Sequence, residues 1–164
     1  GSRNRWIAPG DDGFGFAAWV EKNRDELLKL GPGRHYGEWW GAGIQRRYGQ
    51  TAKRFSLFNT TRWSQPDVVL PPCVSIVPVL YAGPFSDAAV NNALMRLSES
   101  GSVAAPGFMK PEGIIIYLSA ARTYFKQTIE KDDEPKSKQP PVEHLSAQPC
   151  GCDAGANWIC ERHR

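Results

Sequence analysis

The chain is short of several things, and each shortage narrows its class. No window of its 164 residues approaches 18 uninterrupted apolar positions, which excludes a membrane-spanning helix of ordinary length. No basic-then-apolar stretch opens the chain, so no signal peptide is read. Cysteine is sparse at four residues, and without a secretion signal a disulfide framework is not the default. Cys73 stands alone in an apolar, β-branched run and reads as a buried thiol, whereas Cys150, Cys152 and Cys160 cluster near the C-terminus. There is no internal repeat. Charge of one sign is not in large excess: the net value is +3 with a pI near 8.7, which permits contact with nucleic acid without demanding it. Methionine occurs only at Met95 and Met109, and the chain opens at once with "GSRNRW". That opening suggests a chain that begins inside a longer protein; Gly1-Ser2 alternatively reads as a cloning scar.

What is present is ordinary for a globular domain: 41% apolar and 23% charged residues, in a length that supports one domain with a core. Apolar residues at helical spacing predict a helix over 16–30, stopped by Gly31-Pro32-Gly33. A second helix is expected over 86–100, with Ser86 as N-cap and Val90, Leu94 and Leu97 on one face. Strands are expected within 35–41, 54–63, 73–85, 111–121 and 122–130. The charged, Pro-rich stretch 131–141 reads as a linker. Short strands broken by irregular pieces or single helices favour an α+β fold with mainly antiparallel sheets and flanking helices. The expected division is a body over 1–136 and a linker with a Cys/His-rich tail over 137–164.

The stretch "RHYGEWWGAGIQRRYG" at 34–49 sets two Trp, two Tyr and four Gly around a single acid, Glu38. A core strand does not need so much glycine, and a surface loop does not need so many aromatics. Further along the chain come "RFSLFN" at 54–59, "PEGIIIYL" at 111–118 and "YFKQTIEKDDEPK" at 124–136. Taken in this order, with "SRNR" at 2–5 ahead of them, these segments resemble the motifs of the nucleotidyltransferase domain of ATP-dependent polynucleotide ligases, above all phage-type RNA ligases. The resemblance covers most of residues 1–136. One motif is missing: none of the eight Lys lies in a Lys-x-Asp-Gly sequence, the nucleophile motif of that family. The expectation is an N-terminal truncation that removed it.

The resemblance implies ATP and Mg2+ as cofactors, RNA ends as partners, no membrane, and a cytoplasmic location, that of a host cell if the protein is phage-encoded. It implies joining of 5′-phosphate and 3′-hydroxyl ends through lysyl-AMP and adenylylated intermediates, with this chain lacking the adenylylated lysine. Glu38 would accept hydrogen bonds from the ribose hydroxyls, a role suited to a strong, acceptor-only group. Phe55 or Phe58 would stack on adenine while the other joins the core; the two lie three apart on a strand and face opposite ways, and Phe55 is favoured. Glu112 would help hold the divalent metal, and a single carboxylate is chemically adequate for Mg2+. Lys126 would neutralise charge on the α-phosphate. A second Lys two residues later is common in the family and is Thr128 here, with Lys131 or Lys136 as substitutes. Arg3 would touch ribose or phosphate, and Arg5 nucleic acid. Arg46, Arg47, Arg54 and Arg62, interleaved with Tyr48 and Trp63, suit contact with single strands or ends. Each of these residues also has an ordinary structural reading, as solvated charge or core aromatic.

The tail supplies Cys150, Cys152, Cys160 and His163 as a candidate zinc set, with His144 as a spare ligand. Its alternative reading is a plain tail in a reducing compartment. For the whole chain the alternative is a non-catalytic nucleic-acid-binding protein that retains the ligase fold; a GTP-using capping-type relative stands behind both.

Overall fold

The computed structural model of the protein describes residues 6–12, 14–129 and 157–162. The helical pattern of 16–30 forms two helices, α1 (Phe16–Lys22) and α2 (Arg24–Leu28). Asn23 divides them. Its backbone leaves the helical region (φ −106°, ψ 17°), and its side-chain amide donates to the Trp19 carbonyl at 2.8 Å, in competition with the helix ladder.

Strands β1 (Gly37–Gly41), β2 (Lys53–Leu57) and β3 (Val74–Ile76) form one sheet in that order, with β1 antiparallel and β3 parallel to β2. The strand expected over 54–63 therefore stops early. The Asn59 side chain accepts from the Arg62 amide at 3.0 Å and caps a one-turn helix, α3 (Thr60–Trp63). The strand expected over 73–85 is likewise two strands. Val77-Pro78 separates them, because a proline has no N–H to continue a ladder. Beyond it the chain leaves the first sheet and enters the second as β4 (Val79–Gly83). Helix α4 (Asp87–Ser100) is capped as expected: the Ser86 hydroxyl accepts from the Ala89 amide at 3.2 Å. Strands β5 (Gly113–Leu118) and β6 (Thr123–Thr128) then form a hairpin.

The largest departure concerns the C-terminal stretch. Residues 157–162, expected in a separate tail, form β7 (Asn157–Arg162). It lies inside the second sheet, in the order β4-β7-β5-β6, antiparallel to both of its neighbours. Six residues with a charged end carry little strand signal alone; the slot between β4 and β5 supplies it. The fold is α+β with mainly antiparallel sheets, as the element pattern predicts.

Each sheet buries one face under helices. Trp39, Phe55, Leu57, Val74 and Ile76 pack against Phe16, Trp19 and Leu27 of the N-terminal helices, Leu30 in the turn that follows, and Trp63 of α3. Gly37 lies in the path of this packing: a Cβ there would sit 2.5 Å from the Ser56 carbonyl and 2.6 Å from the Phe55 ring. In the second sheet, Ile114 and Ile116 pack on Val90, Ala93 and Leu97 of α4. Between the sheets, Val77, Tyr117 and Cys160 form a small core with Phe58 against it.

Candidate functional site

Side chains alternate across a strand, so β1 and β2 present Glu38, Trp40 and Ser56 on the face away from the helices. Glu38 is 9% exposed and stands opposite Ser56 in the antiparallel register. Behind it runs a short polar chain. The Trp40 indole donates to the Ser56 hydroxyl at 2.8 Å, and that hydroxyl lies 2.8 Å from the hydroxyl of Ser75 on β3. Buried polar groups satisfied in this way fix their strands rigidly.

The second sheet carries the remaining candidates. Lys126 pairs in register with Ile115, and Tyr124 with Tyr117, which places all four on the face that carries the Phe58 contact. Glu112 immediately precedes β5. Its Oε1 lies 3.0 Å from the Lys126 ammonium, and its Oε2 is buried. Its backbone is held on both sides: the carbonyl accepts from the Ile129 amide at 3.0 Å, and the amide donates to the Tyr48 hydroxyl at 3.1 Å.

Tyr48 joins the segments that carry Glu38 and Glu112. Its ring packs on Trp40 at 5.7 Å and on Phe108 at 4.6 Å, and only 1% of the residue is exposed. Burial, together with the charges of Glu161, Glu112 and Glu38, pushes its phenol well above the usual tyrosine range, so it stays protonated. Of these three acids, Glu112 is the one tied to the phenol, through its backbone amide. Glu161 on β7 pairs in register with Ile114, on the face covered by α4; it is 1% exposed, and its Oε2 accepts from the Val103 and Ala104 amides at 2.9 and 3.1 Å. Burial raises its carboxyl above the ordinary range, against the opposing pull of its Ser102 and backbone hydrogen bonds.

The structure brings Glu112 and Lys126 together at 3.0 Å, sets Glu38 on the same face of β1 as Trp40, and packs Phe58 against Val77, Tyr117 and Cys160. Phe55 is not on that face. Phe55 lies on the opposite face of β2 from Glu38, 8% exposed, with its ring 5.4 Å from Phe16 and 5.6 Å from Trp19. Phe58 packs against the small core of Val77, Tyr117 and Cys160, so both members of the pair meet core residues. Tyr48 and Trp63 are also too buried to stack on an incoming strand, at 1% and 7% exposure. Arg62 instead lies over the Trp63 ring at 4.3 Å, and Arg46 donates to the Lys110 carbonyl at 3.2 Å.

Cys160 is buried beside Val77 and Tyr117, and among the described residues no group of three or more His, Cys, Asp or Glu is placed to hold a metal ion. The remaining candidates Arg3, Arg5, Lys131, Lys136, His144, Cys150, Cys152 and His163 lie outside the described residues. So does the greater part of the proposed zinc set. Among the described residues, no helix is long and apolar enough to cross a membrane.

The sequence reading gave Tyr48 a place in a basic, aromatic stretch but not its hydrogen bond with the Glu112 amide, and it gave Glu161 no role. The signal for Tyr48 was its place at the end of a Gly-punctuated stretch. Glu161 had none, because nothing in "NWICER" marks a central strand. No family model, no curated protein and no solved structure matches this chain.

Proposed function

We propose that the space between the two sheets binds a nucleotide with Mg2+, and that the chain is the adenylate-handling part of an RNA-ligase-like nucleotidyltransferase. The observation that carries this reading is the meeting of Glu112 and Lys126 at 3.0 Å, with the Glu112 amide tied to Tyr48, whose ring packs on Trp40 of the strand that holds Glu38. A carboxylate for ribose, a carboxylate for a hard cation and an ammonium for phosphate oxygens are the groups that phosphoryl transfer requires, since it depends on positioning and charge neutralisation. Glu112 fits Mg2+, which takes one or two carboxylates and completes its shell with water and phosphate oxygens. Bound there, the ion would supply electrostatic stabilisation of the transferring phosphate. Lys126 is 41% exposed along its side chain and can reach a ligand while its partner Glu112 stays in place. Phe58 offers the aromatic surface for a base.

With no Lys-x-Asp-Gly sequence, the chain does not make lysyl-AMP by the family's route. What it can perform is the last step, on an RNA end that is already adenylylated. A 3′-hydroxyl oxygen attacks the 5′-phosphorus, the phosphorus–oxygen bond to AMP breaks, AMP departs, and the hydroxyl proton goes to solvent or base. The test supplies 5′-adenylylated RNA and an acceptor strand with Mg2+ and no ATP. Joined product with release of AMP, lost in Lys126→Ala, is expected. RNA binding without any joining would favour the non-catalytic reading, to which the missing lysine motif lends its support.

A further inference from the structure

We propose that Tyr48 is a positioning residue for Glu112, and that the loop from Ala42 to Gln50 is the brace that sets Glu112 against Glu38. The inference rests on the reading of the cleft as an Mg2+ nucleotide site.

The loop carries three non-glycine residues at positive φ: Gln45 (30°), Arg47 (57°) and Tyr48 (48°). L-residues avoid that region, and such a cluster persists only where the surroundings over-determine it. Here the surroundings are specific. Two hydrogen bonds cross 64 residues of sequence from adjacent parts of the loop, from the Arg46 guanidinium to the Lys110 carbonyl and from the Glu112 amide to the Tyr48 hydroxyl. Together they hold both ends of 110–112, the segment that leads into β5. The other side of Tyr48 packs on Trp40, two residues along β1 from Glu38. One side chain therefore touches the backbone of the metal-binding candidate and the strand of the ribose-binding candidate. The strain is localised where these two segments are fixed to one another. A phenylalanine at 48 would keep the ring contacts with Trp40 and Phe108 and remove the acceptor for the Glu112 amide.

Groups that orient a metal-binding carboxylate typically matter by ~10–100-fold in affinity. The test is a calorimetric titration of AMP into the full chain at several Mg2+ concentrations, for wild type, Tyr48→Phe, Glu112→Gln and the double variant. Tyr48→Phe is expected to weaken Mg2+-dependent binding about tenfold and to raise the Mg2+ concentration at half-saturation. In the Glu112→Gln background it is expected to add little, because it acts through that carboxylate. Full additivity, or wild-type affinity and Mg2+ dependence in Tyr48→Phe, overturns the proposal. Wild-type binding by Glu112→Gln overturns instead the reading of the cleft on which the proposal rests. Should Tyr48→Phe fail to fold, Arg46→Met removes the second tie at the surface. It is expected to show a smaller loss with the same non-additivity, and additive behaviour there refutes the brace equally.

Discussion

Ending the chain at residue 136 removes β7, and the structure fixes how much that costs. β7 has four register pairs with β4 and five with β5, and it is the strand that joins them. An antiparallel ladder carries roughly one hydrogen bond per register pair. At about 1 kcal/mol net per bond, the lost ladder is worth ~9 kcal/mol. That alone is comparable to the ~5–15 kcal/mol of a whole domain. The loss of Glu161 also frees the Val103 and Ala104 amides, and the loss of Cys160 opens the small core between the sheets. The truncated chain is therefore expected not to unfold cooperatively. Near-ultraviolet circular dichroism during thermal melting, with binding of a hydrophobic dye at 25 °C, measures this directly. A sharp melt for residues 1–136 within a few degrees of the full chain would refute the reasoning and restore the tail as a separate appendage.

Other consequences follow from particular contacts. Gly37→Ala forces a methyl against the Ser56 carbonyl and the Phe55 ring; chemical denaturation is expected to show a loss of about 1–3 kcal/mol. Ser56→Ala removes the acceptor of the buried Trp40 indole and the partner of Ser75, and about 1–3 kcal/mol is expected to be lost in the same assay. Glu161 has its folded carboxyl raised by burial, so the folded state holds its proton more tightly than the unfolded one. Its stabilising contribution is complete below the ordinary Glu value of about 4.3 and is lost as pH rises through the higher folded value. Melting temperatures measured from pH 4 to pH 7 are expected to fall less in Glu161→Gln than in wild type.

The parts of this fold that were legible in the sequence are those whose signal is local. The capped, amphipathic α4 and the β-branched run of β5 could be read directly, because Ser86 and the apolar spacing act within a few residues. Boundaries that depend on one polar side chain were not legible: Asn23 breaks a helix and Asn59 ends a strand, yet either residue is compatible with the alternative. Proline at 78 marked a break, but not that the chain changes sheets there. β7 was not legible, since its conformation comes from neighbours more than 40 residues away in sequence. The same division runs through the site. Glu38, Glu112 and Lys126 stood out as motif residues. That Phe55 and Phe58 both meet core residues is a tertiary fact. Tyr48 looked like a surface aromatic among arginines until the loop's left-handed turns placed it in the interior.

The central claim is that Glu38, Glu112 and Lys126 form one nucleotide site. Equilibrium binding of AMP with Mg2+ to wild type, Glu38→Ala and Lys126→Ala tests it most directly, with Phe55→Leu as a core control scored per folded molecule. Saturable binding by wild type is expected, with weakening by about tenfold or more in the two site variants and unchanged affinity in the control. Absence of binding by well-folded wild type, or equal affinity in all four proteins, would contradict it.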